Sequence, residues 1–190
     1  GELAGSSAGG EQPKFTAYTA DGHVIVKFSE AEAGSVSERW RDLLLAEYWA
    51  LATLRASGLD AAASAIIDSA AQRFLESTRF DRVGATGRVG LHSLTALDVQ
   101  FTGNASEGWV GVTRALAQQG VITPAAAERA ALLWAFGTLI GNSDMHGGNL
   151  SFIDDGARPY RLAPVYDMTA MAFAPTSGGG LPAALPALTL

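Results

Sequence analysis

Asp144, Asn149 and Asp167 are the residues of this chain whose types and spacing are best suited to chemistry. The first two stand five residues apart within Gly141-Asn142-Ser143-Asp144-Met145-His146-Gly147-Gly148-Asn149, and the third follows eighteen residues later in Tyr166-Asp167-Met168. A carboxylate that orients a hydroxyl and accepts its proton, an amide that ligates magnesium, and a second carboxylate returning to the same ion make up the working set of phosphoryl transfer. The stretch between them reads as a hairpin that brings Asp167 back: Leu150 to Ile153, a turn at Asp154-Asp155-Gly156, then Tyr160 to Ala163. Asn, Asp and Gly also gather wherever a chain turns, so each residue alone is an ordinary turn residue. Their order and spacing carry the reading.

Other residue types narrow the class. With 190 residues, 48% hydrophobic and 17% charged, the chain can bury a substantial core and reads as one globular unit of two lobes. The net charge of −6 and the lack of a long basic run argue against direct nucleic-acid binding, although lysines and magnesium can still hold a nucleotide. The absence of cysteine removes disulfides, thiolate nucleophiles and cysteine-ligated zinc. No long uninterrupted apolar stretch suggests a membrane span, and no basic segment leads into an apolar run at the start, so a cytoplasmic location is expected.

The elements that must position these residues can be read from periodicity. Gly1 to Lys14 is rich in Gly and Ser and runs into two alternating segments, Lys14 to Tyr18 and His23 to Phe28, joined at Asp21-Gly22 as a hairpin. A loop containing Ser6, Ser7, Gly9 and Gly10 can bring backbone N–H groups close to phosphate oxygens, and the same composition suits a frayed terminus or linker. Lys27, at the end of the second segment, either reaches phosphates or extends its amine to solvent. From Ser37, taken as the N-cap, Trp40, Leu43, Leu44, Glu47, Tyr48, Leu51 and Leu54 recur at helical spacing until Gly58. Glu47 falls near the buried side, where a carboxylate needs a cation; Lys27 is one candidate, Arg41 and Arg55 are others.

Ala62 to Asp68 and Arg73 to Ser77 read as strands, with Thr78-Arg79-Phe80-Asp81-Arg82 at their exit. Beyond the Gly84 to Gly87 turn the pattern is helical: Ser93 to Val99, Trp109 to Gln119, and Thr123 to Ile140 with Thr123-Pro124 opening the last. Leu132, Leu133, Trp134, Phe136, Leu139 and Ile140 surround that helix with apolar groups, predicting burial on all sides. The boundaries are 1–80 for a strand-rich lobe with one long helix, 81–173 for a helical lobe with the catalytic loops, and 174–190 for a tail, mobile or cut short.

In order along the chain, Ser6 to Phe15, Ile25 to Phe28, Arg79 to Arg82, Gly141 to Asn149 and Leu162-Ala163-Pro164-Val165-Tyr166-Asp167 resemble the segments of HipA-like serine/threonine kinases, toxins of bacterial type II toxin–antitoxin systems. The resemblance covers nearly the whole chain and implies an α+β, protein-kinase-like fold with a small β-rich N-lobe and a helical C-lobe. It implies ATP and Mg2+ as reactants, a protein substrate with a Ser or Thr acceptor, and an antitoxin protein as partner, with no membrane or direct nucleic-acid role. By the same resemblance Asp144 is the catalytic base, Asn149 and Asp167 ligate magnesium, and Lys27 contacts the phosphates. Thr78 and Phe80 line the adenine pocket, Gly9 and Gly10 belong to the phosphate loop, and Ser7, with Ser6 beside it, is the autophosphorylation site.

The chain departs from the family pattern where Gly147 and Gly148 replace larger or basic residues, so any further cation at the transferring group must come from elsewhere. The subdomain that precedes the kinase core in relatives is not seen, and a short or truncated member is expected. Small-molecule and lipid kinases share the Asp…Asn loop with a following Asp, and an inactive kinase-like binding module is the non-enzymatic alternative.

Overall fold

A computed structural model describes residues 12–176 and 180–182. Strands β1 (Lys14–Thr19) and β2 (Gly22–Phe28) form the expected hairpin. Helix α1 (Ser35–Ala56) follows, then β3 (Ser64–Asp68) and β4 (Arg73–Thr78), which complete an antiparallel sheet of order β1-β2-β4-β3. Alternation places Val24, Val26 and Leu75 in the core. Leu43, Leu44, Leu51 and Leu54 line the buried side of α1.

The start of α1 differs from expectation. Extended Gly34 precedes the helix, and Glu38 N–H bonds Gly34 O at 3.0 Å, so the first turn closes before Ser37 could cap it. Ser37 is buried within that turn. The stop at Gly58 holds, with φ 82°.

Two further pieces went unread in the sequence. β5 (Arg82–Val83) and β6 (Gly87–Arg88) pair around the Gly84 turn, and β7 (Gly90–Ser93) adds a third strand to the expected hairpin of β8 (Ser151–Asp154) and β9 (Arg161–Leu162). Each is too short to display a period of its own. The helices α2 (Leu94–Phe101), α3 (Gly108–Gln118) and α4 (Pro124–Leu139) lie where periodicity predicts. Ser93 Oγ accepts from Ala96 N–H at 3.2 Å, and Thr123 Oγ1 from Ala126 N–H at 3.1 Å.

Helix α4 is not buried all round. Ala126, Ala130, Leu133 and Gly137 form one inward stripe, whereas Leu132 and Leu139 are 54% and 61% exposed on the other side. One helix packed mainly against α3 and the core beneath can bury only one stripe, whatever its composition. The lower core gathers Leu97, Trp109, Val112, Leu116, Ile122, Leu133, Phe152 and Met168. Ala61 bridges Val165 in parallel and Ala62 N–H bonds Val165 O at 2.8 Å, joining the chain entering β3 to the segment carrying Asp167.

Candidate functional site

Lys27 leaves β2 between Lys14 on β1 and Leu75 on β4, with a side chain 13% exposed. Its ammonium lies 2.8 Å from both oxygens of Glu47 and 2.5 Å from Asp167 Oδ1. Glu47, on the inner face of α1 and 2% exposed, therefore pairs with Lys27 rather than with Arg41 or Arg55. Thr169 Oγ1 also donates to Glu47 Oε2 at 2.5 Å. Isolation would make each buried charge costly; here every one has a donor or a counter-charge.

The protonation states follow from the same geometry. Burial acts to lower the Lys27 pKa, but the charges of Glu47 and Asp167 outweigh it and hold the amine protonated well above its ordinary 10.5. Burial acts to raise Asp167, and the Lys27 charge and hydrogen bond overcome it, leaving the carboxyl below its ordinary 3.8. At neutral pH Lys27 is thereby held as a cation and Asp167 as an anion beside it.

Asp167 has φ 57°, the left-handed region that non-glycine residues seldom occupy. Asn142, 4% exposed, donates through Nδ2 to Asp167 O at 3.4 Å and accepts Asp144 N–H on Oδ1 at 3.0 Å. One buried amide thus spans both loops. Tyr166 adds a second span, its hydroxyl donating to Gly148 O at 2.9 Å and lying 2.7 Å from Ser151 Oγ. Asn149 follows Gly148 in this tethered loop, and its Nδ2 donates to Asp144 O at 2.8 Å.

The helical lobe fixes the remainder of the loop. Gly141 ends α4 with φ 77°, turning the chain into the loop. Gly137, one turn earlier, has no Cβ because one would collide with Met145 Sδ. Trp109 Nε1 donates to His146 O at 3.0 Å, and Thr95 N–H to Gly147 O at 3.1 Å. Asp144 and His146 themselves face outward, their side chains 55% and 61% exposed and 3.8 Å apart.

Asp167 and Asn149 each offer a side-chain oxygen of the hard kind that a divalent cation takes. The second carboxylate oxygen of Asp167 and the side-chain oxygen of Asn149 make no hydrogen bond among the described residues. Nor do three His, Cys, Asp or Glu side chains converge among them. Two hard oxygen donors without a full protein cage suit an ion that completes its shell with water and substrate phosphates.

Thr78 ends β4 with its N–H bonded to Ala63 O at 2.8 Å, and the Phe80 ring centroid lies 5.8 Å from that of Tyr166. Thr78 is thus the last residue of β4, and Phe80, in the turn that follows, lays its ring beside the Asp167 segment. Asp81 is clasped by Arg79 at 2.6 Å and Arg82 at 2.5 Å, and the Arg79 hydrogen bonds hold its carboxyl below the usual range. Gly9, Gly10, Ser6 and Ser7 lie outside the described residues.

The family described as HipA-like C-terminal domain matches residues 6–189. The chain belongs to this family. Over 186 residues it is 45% identical to "Toxin YjjJ" of Escherichia coli strain K12, covering 95% of this chain and 42% of that protein. Among solved structures it resembles HipA of Shewanella oneidensis MR-1, solved with HipB and operator DNA, at TM-score 0.62 and 22% identity, covering 90% of this chain and 45% of that one. The Helicobacter pylori proinflammatory kinase CtkA is similar at TM-score 0.61 and 18% identity, with 89% of this chain and 57% of that one covered. The chain therefore spans less than half the length of YjjJ and of the HipA structure. At these identities the structural likenesses establish the α+β, protein-kinase-like fold of this HipA-like chain.

Thr169 and Trp109 were invisible as site residues in the sequence. A threonine two positions past Asp167 looks like any other, and a tryptophan on a helix reads as core. The one available signal was that a buried indole N–H requires an acceptor.

Proposed function

We propose that this HipA-like chain is an ATP- and Mg2+-dependent serine/threonine protein kinase of toxin type. The observation that carries the reading is the Lys27 ammonium held between Glu47 and Asp167, with the Asp144–Asn149 loop tied to the same segment through Asn142 and Tyr166. Lys27 supplies a fixed positive charge for the nucleotide phosphates, and Glu47 sets its direction. Asn149 and Asp167 would hold Mg2+, which when bound neutralises charge on the phosphates. Asp144, exposed and anchored through its backbone, orients the acceptor hydroxyl and takes its proton. The work of the protein is positioning and electrostatics rather than covalent chemistry.

Thr78 and Phe80 line the adenine side, and Gly9 and Gly10 bring backbone N–H groups to the phosphates. A phosphate on Ser7 or Ser6 would repel the incoming nucleotide and act as an off switch. The acceptor is a Ser or Thr hydroxyl of a cellular protein, and an antitoxin protein is the regulatory partner, in line with the HipB complex of the Shewanella HipA. Incubation with labelled ATP and Mg2+, followed by mass spectrometry, tests the reading: phosphoserine or phosphothreonine in the chain or an added protein is expected. Absence of both transfer and Mg2+-dependent ATP binding would reject it.

A further inference from the structure

Glu47 is held from two sides, and only one of them has other work to do. Lys27 divides its ammonium between Glu47 and Asp167 and, on the kinase reading on which this inference rests, turns part of it toward phosphate. Thr169 has no such second duty. Its side chain is buried, its hydroxyl lies 2.5 Å from Glu47 Oε2, and it stands two residues beyond Asp167.

We propose that Thr169 is a positioning residue of the phosphate site, whose hydroxyl holds Glu47 in line with Lys27 and ties helix α1 to the segment that carries Asp167. An ionised carboxylate only accepts hydrogen bonds, and at 2% exposure Glu47 has little water to draw on. In the structure Lys27 and Thr169 both donate to Glu47 while Lys27 also serves Asp167. Once the ammonium is shared with phosphate, the Thr169 hydroxyl is the donor that remains fixed on Glu47. It prevents the carboxylate from rotating away and taking the lysine with it.

A second tie runs parallel to the first. Arg39, two turns earlier on α1, donates through Nη1 to Phe173 O at 2.8 Å. Helix α1 is thereby fastened at two heights to residues 169–173, so its rotation and the placement of Asp167 are linked. Thr169 is the tie that touches the charged cluster.

The test uses the 190-residue chain with Thr169→Val, which keeps the shape and removes the donor, and Thr169→Ser, which keeps the donor. Mg2+-ATP affinity, KM and kcat are measured together with hydrogen exchange of residues 43–48 and 166–170 in nucleotide-free protein. Losing a hydrogen bond to a buried charge weakens nucleotide affinity by about tenfold or more in the valine variant. KM should rise more than kcat falls, exchange should quicken in both segments, and serine should restore each readout. If the valine variant does not fold, Thr169→Ala compared with Thr169→Ser isolates the same hydroxyl. Wild-type affinity and exchange in a folded valine variant, or a serine variant no better than alanine, would overturn the proposal. A wild-type chain that binds no Mg2+-ATP would instead reject the kinase reading, and the exchange measurements would still decide whether Thr169 holds α1.

Discussion

The Lys27 cluster and the Asp144 loop are built on opposite plans. At Lys27, the ammonium and the Glu47 carboxylate are withdrawn from water, Asp167 is half-buried beside them, and the three positions depend on one another. At Asp144, the side chain is 55% exposed and its ion-pairing neighbour among the described residues is His146 Nε2 at 3.8 Å, while its backbone is gripped by Asn142 and Asn149. On the proposed kinase reading the difference separates two tasks. A group that must present a fixed charge to a polyanion gains from burial, because low dielectric strengthens the field and neighbours fix its direction. A group that must meet a protein hydroxyl has to remain reachable, so its precision comes from the main chain.

Breaking the buried plan should have the largest effect. Lys27→Met leaves Glu47 buried without its cation and is expected to cost about 3–5 kcal/mol of stability. Denaturant unfolding checks this, and a loss near zero would mean that Glu47 finds water or a proton.

Next comes Asp144→Asn, where the contrast predicts separation rather than collapse. Stability should change by no more than about 0.5 kcal/mol, as for an exposed site. ATP binding should persist while transfer drops by on the order of a hundredfold or more. Calorimetry beside a transfer assay measures both, and parallel loss of affinity would make Asp144 a ligand.

Trp109→Phe asks whether the exposed loop depends on its backbone supports. Removing the indole N–H leaves His146 O with only the Asn149 N–H at 3.0 Å among the described residues, at a cost of about 0.5–1.5 kcal/mol. Transfer should fall with Asp144 untouched. An unfolding curve and rate equal to wild type would show that the loop stands without α3.

The smallest effect is acidic. Asp81 has a folded-state pKa below its ordinary 3.8, so the stability it contributes is present above that value and disappears as pH falls through the lowered one. For a partly exposed pair this amounts to about 1 kcal/mol or less. The Tm difference between wild type and Asp81→Asn should therefore be visible at pH 7 and shrink below pH 3.8. A difference that persists in acid would assign Asp81 a packing role.

What could be read in advance follows the same division. Long periodic segments such as α1 and β2 announced themselves, and the Asp144–Asn149 spacing marked a candidate site because loop spacing is local information. The Lys27–Glu47 pair was one choice among several, since 20 residues and a change of element separate the partners. Distance in sequence hid Thr169 more completely: its contact with Glu47 spans 122 residues and exists only after both lobes have formed. Composition misled at α4, because Leu132 and Leu139 promise burial that one packed face cannot supply.

The left-handed backbone at Asp167 sets a conflict between durability and use. Glycine would occupy φ 57° without the steric cost that a side chain carries there, so by main-chain criteria alone residue 167 holds the wrong amino acid. Any drift or design that rewards only a sturdier fold is drawn toward glycine at that position, and would erase the carboxylate while leaving the turn intact.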